Sequence, residues 1–109
     1  MAKVLSQQFI KESIGKYINF LKKDGLKISD VFLFGSYANG NPNKYSDVDV
    51  CIVSPQFKNR IQAGAYLNKK LYYSNITSDI PFELIGYPAK HFGADSILVS
   101  EIKKGIKLV

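Results

Sequence analysis

Apolar residues return at spacings of three and four through Leu5, Phe9, Ile10, Ile14, Tyr17, Ile18 and Leu21, which is the single stripe of an amphipathic helix. Ser6 is placed to cap its start, Lys22 and Lys23 to complement its dipole, and Gly25 to stop it. The period then changes. Residues 31–34 (Val-Phe-Leu-Phe) and 48–53, the latter ended by Pro55, read as buried strands. Residues 58–73 carry a less regular helical pattern around Ile61, Ala65, Leu67, Leu71 and Tyr72. Phe82 to Tyr87, bracketed by Pro81 and Pro88, reads as a third strand. Asp95 is placed to cap a short last helix running through Lys104, which Gly105 ends before Ile106 to Val109 return as a short strand or tail.

This order, α-β-loop-β-α-β-α, predicts a small α/β (α+β) domain with a mixed β-sheet and helices packed mainly on one face. No helix separates the first two strands, so they are expected to be antiparallel. The 109 residues are one domain by length, with no repeat or linker to divide residues 1–109. A hydrophobic content of 46% is that of a folded protein rather than a disordered chain. The single cysteine, Cys51, lies inside an apolar run, excludes an internal disulfide and is expected in the core. The first residues lack the apolar centre of a signal peptide, and no stretch is long enough to span a bilayer. A cytoplasmic protein that does not enter membranes is expected. The net charge of +6 favours anionic partners such as nucleotides or RNA, but it comes mostly from scattered lysines, which also make an ordinary solvated surface.

The stretch between the first two strands carries the chemistry. Asp47 and Asp49 are two apart in a strand and so share one face, while Val48 points away. Two carboxylates that close raise each other's pKa unless a cation lies between them, and Mg²⁺, which keeps positions for water and phosphate, suits such a pair. Alone, the pair also reads as a turn cap followed by a solvated acid. Gly35-Ser36 directly after a strand permits a sharp turn into a short helix whose first N–H groups and hydroxyl suit an anion; alone, it is only a turn. Antiparallel pairing brings the two sets together, and a phosphate turn beside a metal pair reads as a nucleoside triphosphate site.

Gly-Ser, ten residues, then Asp-x-Asp resembles the signature of the DNA polymerase beta-like nucleotidyltransferases. The GSYANG start and the closing EIKKGIKLV resemble its minimal nucleotidyltransferase (MNT) branch, and the likeness covers nearly the whole chain. The resemblance implies transfer of AMP from ATP to a hydroxyl with release of pyrophosphate, and dependence on Mg²⁺ (two ions, with Mn²⁺ as a substitute). It implies that Gly35 and Ser36 hold the triphosphate and that Asp47 and Asp49 bind metal. Many relatives carry Arg where this chain has Asn39, a departure that Lys44 in the same loop is placed to offset. A third acid from a later strand is also implied, and Glu83, between Phe82 and Leu84, fits it; the competing reading is an edge strand with Glu83 in solvent. Asp79 is a weaker contender. A chain this short has no room for the extra domains of relatives that act on large substrates, so the acceptor is expected on a partner protein. The MNT branch further implies an antitoxin paired with a HEPN-domain toxin that it AMPylates. Two other classes stand beside this one: a non-catalytic nucleotide-binding or antitoxin module acting by contact alone, and an RNA-binding domain, which no aromatic RNA-reading motif supports. Among remaining residues, His91 reads as a surface residue, Tyr72-Tyr73 as core and rim packing, and Lys58, Arg60, Lys69 and Lys70 as one solvated helix face.

Overall fold

The computed structural model describes residues 4–76, 80–93 and 96–109. Helix α1 (Gln7–Lys23) begins where Ser6 accepts a hydrogen bond from the Phe9 amide at 3.1 Å, and it buries Ile10, Ile14, Tyr17, Ile18 and Leu21. Strand β1 (Asp30–Phe34) follows, then a one-turn helix α2 (Ser36–Asn39) and strand β2 (Val48–Ser54). Helix α3 (Arg60–Tyr73) leads to β3 (Phe82–Pro88), two short helices α4 (Ala89–Phe92) and α5 (Ile97–Lys103), and β4 (Ile106–Lys107). The four strands form one sheet in the order β3-β2-β1-β4. β1 is antiparallel to both β2 and β4, whereas β2 and β3 are parallel, joined by the α3 crossover that a parallel pair requires.

Two apolar clusters sandwich the sheet. The larger joins α1 and α3 to one face through Val31, Leu33, Val50, Ile52 and Leu84. The smaller packs Phe92, Val99 and Ile102 of α4 and α5 against Phe32, Cys51 and Val53 on the other. The long helices thus lie on one face, as expected, and the short ones cover what the two-sided apolar strands leave open. Cys51 is fully buried, and burial pushes its thiol up to about 12.

The helix over residues 60–73 differs from the sequence pattern in the face it buries. Ala63 and Leu67 are its buried residues, whereas Ile61 is 86% exposed and Tyr72 80% exposed. A Cβ at Gly86 would run into Ala63 and Leu67, so α3 lies close against β3 through Ala63 and the expected Leu67, while Ile61 and Tyr72 stay out of the contact. Tyr72 and Tyr73 stack edge to face on each other at the exposed end of α3 instead of packing into the core. The basic residues there are not one solvated face either. Lys58 precedes the helix, Arg60 lies over the Tyr87 ring at 5.6 Å, and Lys70 pairs with Asp24 at 3.0 Å. Ser96 caps α5 by accepting from the Val99 amide at 3.0 Å; Asp95, the expected cap, and Asp79 lie outside the described residues. His91 is exposed. Among the described residues no helix is long and apolar enough to cross a membrane.

Candidate active site

The site forms where β1 ends, β2 begins and β3 begins. Phe34, the last residue of β1, is the register partner of Asp49 in β2, and Asp49 is in turn the partner of Glu83 in β3. Three segments far apart in sequence therefore meet at one end of the sheet. Gly35, the next residue, adopts φ 76° and ψ −156°, a conformation open essentially only to glycine. Its missing side chain has a second use. A Cβ at position 35 would run into Oδ2 of Asp49, so the glycine makes room for that carboxylate as well as for the turn.

α2 starts at Ser36 and closes at Gly40, which adopts the left-handed conformation with φ 81°. The turn is pinned from beneath by Tyr37. Its ring is buried, its hydroxyl accepts from the Leu5 amide at 3.2 Å, and its carbonyl accepts from Nε2 of Gln7 at 3.0 Å. That anchoring role was invisible in the sequence, where the only signal is an aromatic residue one position into a turn. Ser36 is half-buried, and Asn39 is exposed at the far end of the helix.

Asp49 is half-buried, and its carboxyl is pushed up to about 6, first by burial, then by the charge of Glu83, a hydrogen bond shared with Glu83, and the charge of Asp47. Glu83 is exposed and β3 is an edge strand, so the solvent-facing alternative was correct about its surroundings. It nevertheless stands beside Asp49 in the sheet register. Asp47, exposed just ahead of β2, acts on Asp49 through its charge. Gly35, Asp47, Asp49 and Glu83 are thus brought together, with Ser36 next in line. Lys44 is not drawn onto the acids; it lies over the ring of Tyr45, 5.1 Å from the centroid.

A model of the nucleotidyltransferase domain family matches residues 14–107, which contain every residue of this site. The chain belongs to that family. Against the curated protein "Putative protein adenylyltransferase MJ1379" of Methanocaldococcus jannaschii, this nucleotidyltransferase is 36% identical over 74 residues, covering 63% of the chain and 71% of the relative. Among solved structures, a mutant form of the toxin-antitoxin MntA-HpeT superposes with a TM-score of 0.61 at 22% identity, over 87% of this chain and 71% of that one. A toxin-antitoxin structure with AMP-PNP matches with the same TM-score at 23% identity and the same coverage. These two establish the fold. The resemblance drawn from the spaced motif, to the minimal branch of the polymerase beta-like enzymes, is borne out.

Two acids of this nucleotidyltransferase, Asp49 and Glu83, are register partners of the oxygen-donor type that a divalent cation takes. Asp49 and Glu83 stand side by side in the register, Asp47 bears on Asp49 through its charge, and none of the three is in an ion pair among the described residues. A divalent cation would relieve the crowding that pushes the Asp49 carboxyl up. As they stand, the described residues hold no group of three His, Cys, Asp or Glu side chains close enough to ligate a metal. The Asp49–Glu83 pair is the part of the site that the sheet register assembles, and Asp47 bears on it through its charge.

Proposed function

We propose that this nucleotidyltransferase transfers AMP from ATP to a hydroxyl group on a partner protein, as the antitoxin of a pair whose toxin carries a HEPN domain. The observation that carries the reading is the meeting of the Gly35 turn with the Asp49–Glu83 pair at one end of the sheet. The relative named as a protein adenylyltransferase and the toxin-antitoxin neighbours, one of them with AMP-PNP, support the nucleotide and the kind of acceptor.

Gly35 and Ser36 receive the β- and γ-phosphates, the glycine by letting the backbone approach and the serine by its hydroxyl. Asn39 and Lys44 lie along the same loop and face the remaining phosphate charge. Asp47, Asp49 and Glu83 hold Mg²⁺ or Mn²⁺, which when bound neutralises charge on the phosphates and orients them. Glu83, exposed at the sheet edge, is accessible to an incoming hydroxyl and accepts its proton. The acceptor oxygen forms a bond to the α-phosphorus, the bond from that phosphorus to the bridging oxygen breaks, and pyrophosphate leaves with the electron pair.

Label transfer tests this. Purified chain, α-³²P-ATP and Mg²⁺ or Mn²⁺ are expected to label a co-purified partner, while γ-labelled ATP is not. Partner inhibition with neither nucleotide nor label transfer would instead identify a module that acts by contact alone.

A further inference from the structure

We infer that Tyr45 is a positioning residue, confining the Lys44 ammonium on the loop just ahead of Asp47, where it can meet the phosphates of an entering nucleotide; the inference rests on the nucleotide reading above. From Gly35 to Val50 Lys44 is the one cationic residue, so any charge compensation this loop offers a polyphosphate comes from it. The turn that carries it is braced. The Tyr45 amide donates to Asn43 Oδ1 at 2.8 Å, the Asn43 amide to Ser46 Oγ at 3.0 Å, and the Ser46 amide to the Asn43 carbonyl at 3.0 Å. Three hydrogen bonds across four residues fix the backbone immediately ahead of Asp47.

On this fixed turn the Tyr45 ring is 77% exposed and belongs to neither apolar cluster. Packing gives no reason for an aromatic there. What the ring does contact is Lys44, whose Nζ lies 5.1 Å from its centroid, within the range of cation–π attraction. Among the described residues Lys44 makes no ion pair. A lysine left to itself samples many rotamers, and ordering it opposes binding. A ring on a rigid turn confines the ammonium beforehand while leaving its hydrogen-bond donors available for phosphate.

Calorimetric titration of Mg-ATP into the wild type, Tyr45→Phe, Tyr45→Ala, Lys44→Ala and the double alanine variant tests this. Tyr45→Ala is expected to weaken ATP by about 2- to 5-fold, the scale of an exposed cation–π contact. Tyr45→Phe, which keeps the ring face, is expected to bind as the wild type does. The double variant is expected to bind no worse than Lys44→Ala, because the ring acts through the ammonium. Because the ring is exposed, melting temperatures stay unchanged. Wild-type affinity in Tyr45→Ala, equal losses in Phe and Ala, or additive losses in the double variant would each overturn the assignment while leaving the function intact. A wild type that binds no ATP would overturn the function itself, and this assignment with it.

Discussion

Asp24 and Asp49 are carboxylates of one small protein held in opposite ways. Asp24 accepts from the Tyr66 hydroxyl at 2.6 Å and from Lys70 at 3.0 Å, and these two hydrogen bonds hold its carboxyl below the usual range. Asp49 sits partly buried among acids, with neither a cation nor a hydroxyl among its partners within the described residues, and is pushed up to about 6. The first arrangement ties the end of α1 to α3 and is complete as it stands. The second destabilises the charged form of Asp49, and a carboxylate so perturbed beside other acids marks a candidate functional site.

The contrast is broken most strongly by removing the acids that face the reaction. Glu83→Gln is expected to lower label transfer by about 10²–10⁴-fold, the usual scale for loss of a general base, while ATP binding persists in titration. Asp49→Asn and Asp47→Asn are expected to abolish transfer. Melts with Mg²⁺ or Mn²⁺ plus ATP should show a stabilisation of the wild type that both variants lack; an equal response in wild type and variants removes the acids from the metal site.

The turn comes next. Gly35→Val places a side chain where Asp49 Oδ2 lies, on a backbone that favours glycine. It is expected to lose ATP binding and some stability together. Ser36→Ala should weaken ATP alone, by about 1.5–3 kcal/mol, the value of a hydrogen bond to a charged group. Unchanged affinity in both variants counts against the phosphate turn.

A smaller effect separates the two aspartates by pH. In metal-free protein the raised carboxyl of Asp49 means that the folded state keeps a proton the unfolded chain releases near pH 4. The stability from this group is whole below about pH 4 and is lost as pH rises through about 6. Melting temperatures in EDTA should therefore carry a downward component from pH 4 to 7 that Asp49→Asn removes. Asp24 has the opposite sign: its contribution is present above the usual carboxylate pKa and is lost as pH falls through its lowered one. Asp24→Asn should cost the least of all, a slight, salt-sensitive loss of melting temperature with unaltered transfer, as befits a pair at the surface. A loss of transfer in that variant would erase the distinction.

Much of this was legible because two simple periods carry it. The stripe of α1 and the apolar runs of β1 and β2 predicted their elements, and antiparallel pairing of the runs predicted that Gly35 would meet Asp49. The period-2 rule placed Asp49 on the face opposite Val48, and the flanking Phe82 and Leu84 turned Glu83 the same way. The helix α3 and its inward Leu67 were legible, but its buried face was only partly so, because the contact with β3 also runs through Ala63 and Gly86, whose small size lets backbones approach but gives no hydrophobic signal. The larger Ile61 and Tyr72, which do give one, ended in solvent. α4, between Pro88 and Gly93, is one turn long and too short for a period to register. The room that Gly35 leaves for Asp49 depends on a contact across two strands, which local pattern does not encode.

The parallel pairing of β2 with β3 also sets an order of events. Asp49 and Glu83 are register partners although α3 separates them in the chain, so they cannot become neighbours until the crossover has closed. An early hairpin of β1 and β2 would already hold the Gly35 turn and both aspartates, but not the pair. A ligand that needs both acids therefore binds only the finished fold and, by mass action, holds the crossover shut. Hydrogen exchange along β3 is where that bound state becomes visible: its amides should slow most when metal and nucleotide are added, more than those of β1.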